Sequence, residues 1–178
     1  MQNKNILVHT CCAPCTAYSF ERLINNGYTP TAFFYNPNIH PQSEYERRLA
    51  EQVRFCSEKN YPLMIQDVDF ERWEEGAKDF ADQPEGGLRC EYCFRRRLEE
   101  TAKYAVKNGF NCFTTVLTIS PHKNSRIIFR IGAEVGEKYG ILFIEENFKK
   151  NDGFKKSLII SSEHNLFRQT YCGCTYSI

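Results

Sequence analysis

The run His9-Thr10-Cys11-Cys12-Ala13-Pro14-Cys15 puts three thiols in five residues, between two segments of different periodicity. Upstream, Ile6-Leu7-Val8 is short and apolar, as a buried strand requires. Downstream, Tyr18, Phe20, Leu23 and Ile24 recur at roughly helical spacing. A strand-to-helix turn sets its loop at the open end of a sheet, where the first N–H groups of the helix point at any anion that sits there. Thiolates, a metal cluster or a phosphate are all favoured in such a place.

The remainder of the chain repeats the alternation. Thr31-Ala32-Phe33-Phe34-Tyr35 reads as a second buried strand, ended by Asn36-Pro37-Asn38. Tyr45, Leu49, Val53 and Phe55/Cys56 predict a helix over 43–59 with Ser43 as its cap. A third strand is expected at 63–68, a short acidic helix around Trp73 at 70–80, and a loop through Pro84 and Gly86-Gly87. Arg89-Cys90-Glu91-Tyr92-Cys93 then runs into a helix that Asn108-Gly109 stops. A fourth strand at 112–118 ends at Ser120-Pro121-His122-Lys123. A helix over 124–139, a fifth strand at 141–144 and a helix at roughly 157–168 follow, before the tail Tyr171-Cys172-Gly173-Cys174.

This order predicts one α/β domain over residues 1–178, with a mainly parallel sheet and flanking helices. Sites on such sheets lie outside the carboxyl ends of the strands. On that rule Cys11/Cys12/Cys15, Asn36, Asp67/Asp69 and Ser120/His122 gather at one edge, and the Cys90 loop folds back over it.

A chain of 178 residues, 42% of them hydrophobic, buries a core without staples, so its nine cysteines need a chemical explanation. No apolar run approaches ~18 residues, and Met1-Gln2-Asn3-Lys4-Asn5 opens no signal-peptide pattern. A cytoplasmic protein with no membrane partner is expected. In that compartment thiols stay reduced, and clustered cysteines read as metal-binding or catalytic. The net charge of +1 supplies no global basic field for nucleic acid, which leaves only local patches.

Seven of the nine cysteines fall into three groups, Cys11/Cys12/Cys15, Cys90/Cys93 and Cys172/Cys174. Cys56 and Cys112 stand apart and read as small buried hydrophobes. Cys12/Cys15 with Cys90/Cys93 has the spacing of a structural zinc site, but leaves Cys11 unused. Iron–sulfur clusters are most often held by four thiolates, a number that Cys11, Cys12, Cys90 and Cys93 supply. Both readings stand at this point. The pattern is CCxxC rather than CxxxCxxC, and neither a Walker A loop nor a GxGxxG occurs, so no motif indicates ATP or a dinucleotide. Cys172-Gly173-Cys174 is of another kind: glycine lets the backbone turn tightly enough for the thiols to meet in a small, easily reduced ring.

With these groups in hand the chain resembles the QueH-type epoxyqueuosine reductases over nearly its whole length. The resemblance rests on Leu7 to Cys15, on Phe34-Tyr35-Asn36-Pro37-Asn38-Ile39-His40-Pro41 with Glu44-Tyr45, on Arg89 to Arg95, on Thr115 to Lys123 and on Cys172-Gly173-Cys174. It implies a Rossmann-like sheet of the adenine nucleotide hydrolase-like kind, and removal of the epoxide oxygen from epoxyqueuosine in the anticodon of tRNA, the last step of queuosine synthesis. It also implies a [4Fe-4S] cluster on Cys11, Cys12, Cys90 and Cys93, a redox-active Cys172/Cys174 pair and an external electron donor. One additional iron or zinc ion beside the cluster is expected on Cys15 with Asp67 or Asp69.

Turning an epoxide into an alkene takes two electrons and two protons, while a cluster passes electrons singly, so a dithiol is a fitting two-electron store. Candidate proton donors are His9, Tyr35, His40 and His122. Expected substrate contacts are Tyr35, Asn36, His40, Ser120, His122 and Lys123. Arg47/Arg48, Arg89, Arg95/Arg96/Arg97, Lys123, Lys149/Lys150 and Lys155/Lys156 are candidate cations for tRNA, and Tyr35, Tyr92 and Tyr171 candidate stacking platforms. The competing readings are another iron–sulfur-dependent tRNA-modifying enzyme, a zinc-stabilised nucleic-acid-binding module and a plain thiol–disulfide oxidoreductase.

Overall fold

The computed structural model describes residues 4–177. The signal-peptide reading rests in part on residues 1–3, which lie outside that range. In chain order the elements are β1 (Lys4–Thr10), α1 (Ala13–Asn25), β2 (Tyr28–Phe34), α2 (Gln42–Lys59), β3 (Leu63–Ile65), α3 (Phe70–Lys78), α4 (Leu88–Lys107), β4 (Cys112–Thr115), α5 (Ser125–Tyr139), β5 (Leu142–Phe143) and α6 (Gly153–Glu163). Successive side chains of a strand point to opposite faces, and on β1 both faces are apolar. Ile6 and Val8 join a core with Ala17, Phe20 and Leu23 of α1, Phe55 of α2 and Ile160 of α6. Leu7 joins a second core with Leu98, Ala102 and Ala105 of α4 and Ile128, Ile131 and Val135 of α5.

Between these layers the strands run in the order β3-β2-β1-β4-β5, with every neighbouring pair parallel. This is the parallel α/β architecture expected from the alternation, and the Rossmann-like sheet that the family resemblance implies. At Gly132 a β-carbon would stand 2.5 Å from the Phe143 ring, so α5 lies closer to β5 than any larger residue permits. No helix among the described residues is long and apolar enough to cross a membrane.

Several boundaries differ from the sequence reading, the second strand among them, which begins at Tyr28 rather than Thr31. The third strand stops at Ile65 because it forms the sheet edge, where Met64 and Ile65 are exposed. The fourth strand is shorter: Thr115 Oγ1 accepts from Leu117 N, and Val116–Ile119 continues as a buried 3₁₀ turn. Helix α2 starts at Gln42 with no side-chain cap, and Ser43 is an exposed residue of its first turn. Helix α6 runs from Gly153 to Glu163, and Asn165, at φ 50°, turns the chain out of it. Cys90 also belongs to a helix rather than a loop, since α4 already begins at Leu88.

The carboxyl ends of the three central strands are tied by one buried imidazole. His9 Nε2–H donates to Asn36 Oδ1 (3.1 Å) and Tyr35 O (3.2 Å), and its Nδ1 accepts from Thr115 Oγ1 (3.0 Å). Asn36 Nδ2 in turn donates to Thr10 O at 2.9 Å. Burial, reinforced by the Arg97 charge, lowers the His9 pKa to about 4. A neutral, enclosed and fully bonded imidazole is a fastener, so His9 drops out as a proton donor.

An unfolded chain takes up a proton on this histidine below about pH 6.5, and the native chain does not until about pH 4. The stability associated with a neutral His9 is therefore complete above pH 6.5 and declines down to pH 4, by on the order of 3 kcal/mol. Urea unfolding at pH 7 and at pH 5 is expected to show a shallower acid loss in His9→Gln than in the parent. Equal losses would place the acid sensitivity elsewhere.

Candidate metal centre and adjoining cavities

Cys12 is the extended N-cap of α1 (φ −170°, ψ 155°), with Pro14 in the first turn, where its missing N–H is no loss. The Sγ atoms of Cys11, Cys12 and Cys15 all lie within 4.8 Å of one another, the donor type and spacing of a metal site. Hydrogen bonds from the Cys11 and Cys15 thiols pull the Cys12 pKa well below the usual thiol value. Gln169 Nε2 adds a further donor to Cys12 Sγ at 3.0 Å. Cys11 is pushed up by its bond to Cys12, and Cys15 well up by its bonds to Cys11 and Cys12. Within the trio negative charge is therefore favoured on Cys12 over its two neighbours.

Cys90 and Cys93 stand one turn apart at the start of α4, with Gly86 N donating to Cys90 Sγ at 3.1 Å. Burial raises the Cys93 thiol to about 12 and raises Cys90 as well. Cys172 and Cys174 are brought in by the tail, which Arg48 secures with bonds to Cys172 O (2.8 Å) and Tyr171 O (3.0 Å). The backbone N–H of His40 donates to Gly173 O at 2.7 Å, and Tyr171 Oη donates to His40 O. Gly173 sits at φ +126°, where a β-carbon would press on Ile39 and Arg48.

Two adjoining cavities receive these groups. The smaller, about 70 Å³, is lined by Cys90, Cys93, Cys172 and Cys174. The larger, about 330 Å³, is lined by Cys11, Cys15, Ser120, Gln169 and Tyr171. Arg97, His122, Lys123 and Cys172 stand on the walls of both. Lys123 Nζ lies 3.5 Å from Cys172 Sγ. Burial opposes the charge on Lys123, but Cys172 and Cys11 outweigh it and raise its pKa.

The expected site residues divide accordingly. Ser120, His122 and Lys123 reach the larger cavity. Tyr35, Asn36 and His40 line neither one. Tyr35 is buried, both ends of the Asn36 amide are used in the His9 tie, and His40 packs on Phe70 and Trp73 with Nε2 3.6 Å from Glu74. Asp67 and Asp69 do not accompany Cys15. They follow β3, two positions across the sheet from β1, and Asp69 Oδ1 caps α3 by accepting from Arg72 N at 2.9 Å. Cys90 and Cys93 lie outside the 4.8 Å thiol trio, across the shared cavity wall.

Several cations offered for tRNA are committed elsewhere: Arg48 to Glu44 and the tail, Arg89 to three carbonyls, Arg95 to Glu134 and Lys149 to the carbonyls of Ser120 and Lys123. Tyr92 is packed over Gly76, which leaves Tyr171 as the candidate platform on a cavity wall. Sequence reasoning missed Gln169 and Arg168, since nothing in their local pattern announces the wall they form. For Arg97 a signal existed: Cys90, Cys93 and Arg97 are spaced i, i+3, i+7 on one face of a helix.

Fold and site together define a parallel α/β protein with a cysteine cluster suited to holding a metal at the carboxyl edge of its sheet. The family profile described as epoxyqueuosine reductase QueH matches residues 6–178. Epoxyqueuosine reductase QueH of Acinetobacter baylyi is 41% identical over 174 residues, which cover 97% of this chain and 80% of that protein. The protein of the same name from Thermotoga maritima is 36% identical over 176 residues, covering 97% and 90%. This chain belongs to the QueH epoxyqueuosine reductase family, a family of oxidoreductases.

Among solved structures, a predicted subunit of tRNA methyltransferase from Methanocaldococcus jannaschii is similar at TM-score 0.62 and 15% identity, covering 89% of this chain and 74% of that one. U34-tRNA thiolase NcsA from Methanococcus maripaludis, solved with its [4Fe-4S] cluster, is similar at TM-score 0.58 and 13% identity, covering 99% and 62%. At these identities the likeness establishes the fold.

Metal binds thiolates, whereas Cys11, Cys15, Cys90 and Cys93 are all raised. Loading therefore releases protons and tightens as pH rises, by roughly a hundredfold per pH unit if two protons leave. Cobalt(II) titrations followed by thiolate-to-metal absorption at pH 6.5 and 7.5 are expected to show that tightening. Affinity independent of pH would mean that the ligands are already ionised.

Proposed function

We propose that this chain reduces epoxyqueuosine to queuosine at the wobble position of tRNA, removing the epoxide oxygen to leave an alkene. The observation that carries the reading is the meeting of three cysteine groups, far apart in sequence, around two cavities that share the Arg97, Lys123 and Cys172 wall. The donor set fits an iron–sulfur group: soft thiols from the starts of two helices, with the unpartnered Nη2 of a buried Arg97 beside them. A [4Fe-4S] cluster on Cys11, Cys12, Cys90 and Cys93 supplies electrons one at a time when bound. Cys15 remains for one additional iron or zinc ion.

The other parts of the reaction fall to side chains. Reducing the epoxide consumes two electrons and two protons and releases water, and oxidising the Cys172/Cys174 dithiol to a disulfide yields two electrons and two protons. The pair thus balances one turnover, and an external electron donor restores it. Lys123 faces the larger cavity as a half-buried cation and, with His122 and Ser120, offers hydrogens to the departing oxygen. A cavity of about 330 Å³ falls within the range of small-molecule sites, which suits a single unstacked nucleoside with Tyr171 against it.

Protein purified without oxygen is expected to hold about four irons with matching sulfide, and to convert epoxyqueuosine-bearing tRNA to queuosine tRNA, read by nucleoside mass. Stoichiometric zinc without sulfide after attempted reconstitution would overturn the redox reading and favour a binding module. Cys93→Ala is expected to lose iron and activity together. Cys172→Ser is expected to keep its iron and lose multiple turnover with a thiol reductant; intact multiple turnover would remove the dithiol from the mechanism.

A further inference from the structure

Among the described residues three arginines lie buried, and two of them show where a buried guanidinium finds its acceptors. Arg48 donates Nε to Glu44 Oε1 at 2.8 Å and spends its remaining nitrogens on Cys172 O and Tyr171 O. Arg89 donates Nη1 to the carbonyls of Phe80, Ala81 and Gln83 and its guanidinium lies 4.6 Å from the Tyr176 ring centre, so that of its buried nitrogens only Nε lacks an acceptor among the described residues. Arg97 has less company: its guanidinium lies 5.7 Å from the Phe94 ring centre, a looser contact than that of Arg89. It is 1% exposed, its Nε makes one long bond of 3.3 Å to Cys93 O, and its Nη2 has no acceptor among the described residues. No carboxylate pairs with it there. A guanidinium stays charged at any working pH, and a buried charge without a counter-charge is strongly destabilising.

What Arg97 meets is chiefly sulfur, with Lys123 and the exposed carboxylate of Glu85 on the same two walls. Arg97 shares one face of α4 with Cys90 and Cys93, stands on the walls of both cavities, and so faces Cys11, Cys15, Cys172 and Cys174 as well. The thiols that act on its charge are, in order, Cys93, Cys172, Cys11 and Cys90, and together they outweigh its burial. At 1% exposure it is out of reach of a phosphate on the outside of a macromolecule.

We infer that Arg97 is the counter-cation of the thiolate site, a positioning residue that raises the reduction potential of the iron–sulfur group bound there. This rests on the proposed cluster. A cluster on four thiolates carries net negative charge that grows by one unit on reduction, so a fixed cation beside it favours the reduced form. Removing the cation lowers the potential, while a different cation at the same place largely preserves it.

The test is an EPR-monitored redox titration of the anaerobically reconstituted full chain, with iron and sulfide measured on the same samples. Arg97→Gln is expected to hold wild-type iron at a potential lower by about 59 mV or more, a tenfold change in a one-electron equilibrium. Arg97→Lys is expected to lie near the parent. An Arg97→Gln protein with four irons and an unchanged potential overturns the inference, as does one whose only defect is weaker, less salt-dependent tRNA binding. If Arg97→Gln does not retain iron, Arg97→Lys decides: retention at a parental potential supports the counter-cation, and loss of iron there too assigns Arg97 a role of shape and overturns it. A parent chain that takes up no iron and sulfide overturns the cluster reading itself, a result distinct from all of these.

Discussion

The tie made by His9 is the constraint on which the rest of the site depends. A single imidazole joins the ends of β1, β2 and β4 through Asn36 and Thr115, immediately before the chain leaves the sheet into Cys11. Each bond is modest on its own, but in a buried network loss of one partner strands the others, so the group acts as a unit. It sets where β1 stops, and that stop places Cys12 as the N-cap of α1 with the three thiols around it. The buried histidine thus governs the geometry of the thiols without touching the cavities they line.

The third cysteine group depends on contacts that no local rule supplies. Between Cys12 and Gln169 lie most of the chain's residues, yet the amide of the latter reaches the sulfur of the former. The tail that carries Cys172 and Cys174 has only the short 3₁₀ turn Thr175–Ser177 as regular structure, so its place comes from others: Arg48 on α2, the His40 backbone and the close seating of Gly173 on Ile39. Arg48 itself is held by Glu44 one turn earlier. A helix laid over one edge of the sheet therefore orients a dithiol whose chemistry belongs to another part of the molecule.

The degree to which this was legible in the sequence follows the range of the interactions. Strand and helix order was readable, because burial on both faces of a parallel sheet writes itself as short apolar runs, and Ile6-Leu7-Val8 and Thr31 to Tyr35 carry it plainly. Boundaries were less readable where a tertiary contact ends an element, as at Thr115, or where a strand lies at the edge, as at Ile65. Cysteine spacing marked the thiol groups, but the side chains that complete the walls come from segments with no signature of their own, Gln169 and Arg168 among them. Asn36 and Asp69 show the opposite failure: polar residues after strands look like site residues, and here one fastens the sheet and the other caps a helix.

Charge distribution around the cavities completes the account. Among the described residues Glu85 is the single carboxylate on the two walls, which it shares, and it is exposed, whereas Arg97 and Lys123 on both, Arg89 on the smaller and Arg168 on the larger are cations. A wall of this kind repels a cationic ligand and stabilises negative charge inside it, on sulfur first and then on an oxygen that leaves as an anion. It also accounts for keeping acids away from the thiols. A carboxylate there would pair with Arg97 or Lys123 and cancel the field, and it would raise the cost of ionising each neighbouring thiol. The exposed Asp67 and Asp69, across the sheet beyond β3, leave that field intact. The same arrangement that lets several sulfurs carry negative charge in a buried place therefore also prepares the adjoining cavity for a reaction that expels oxygen.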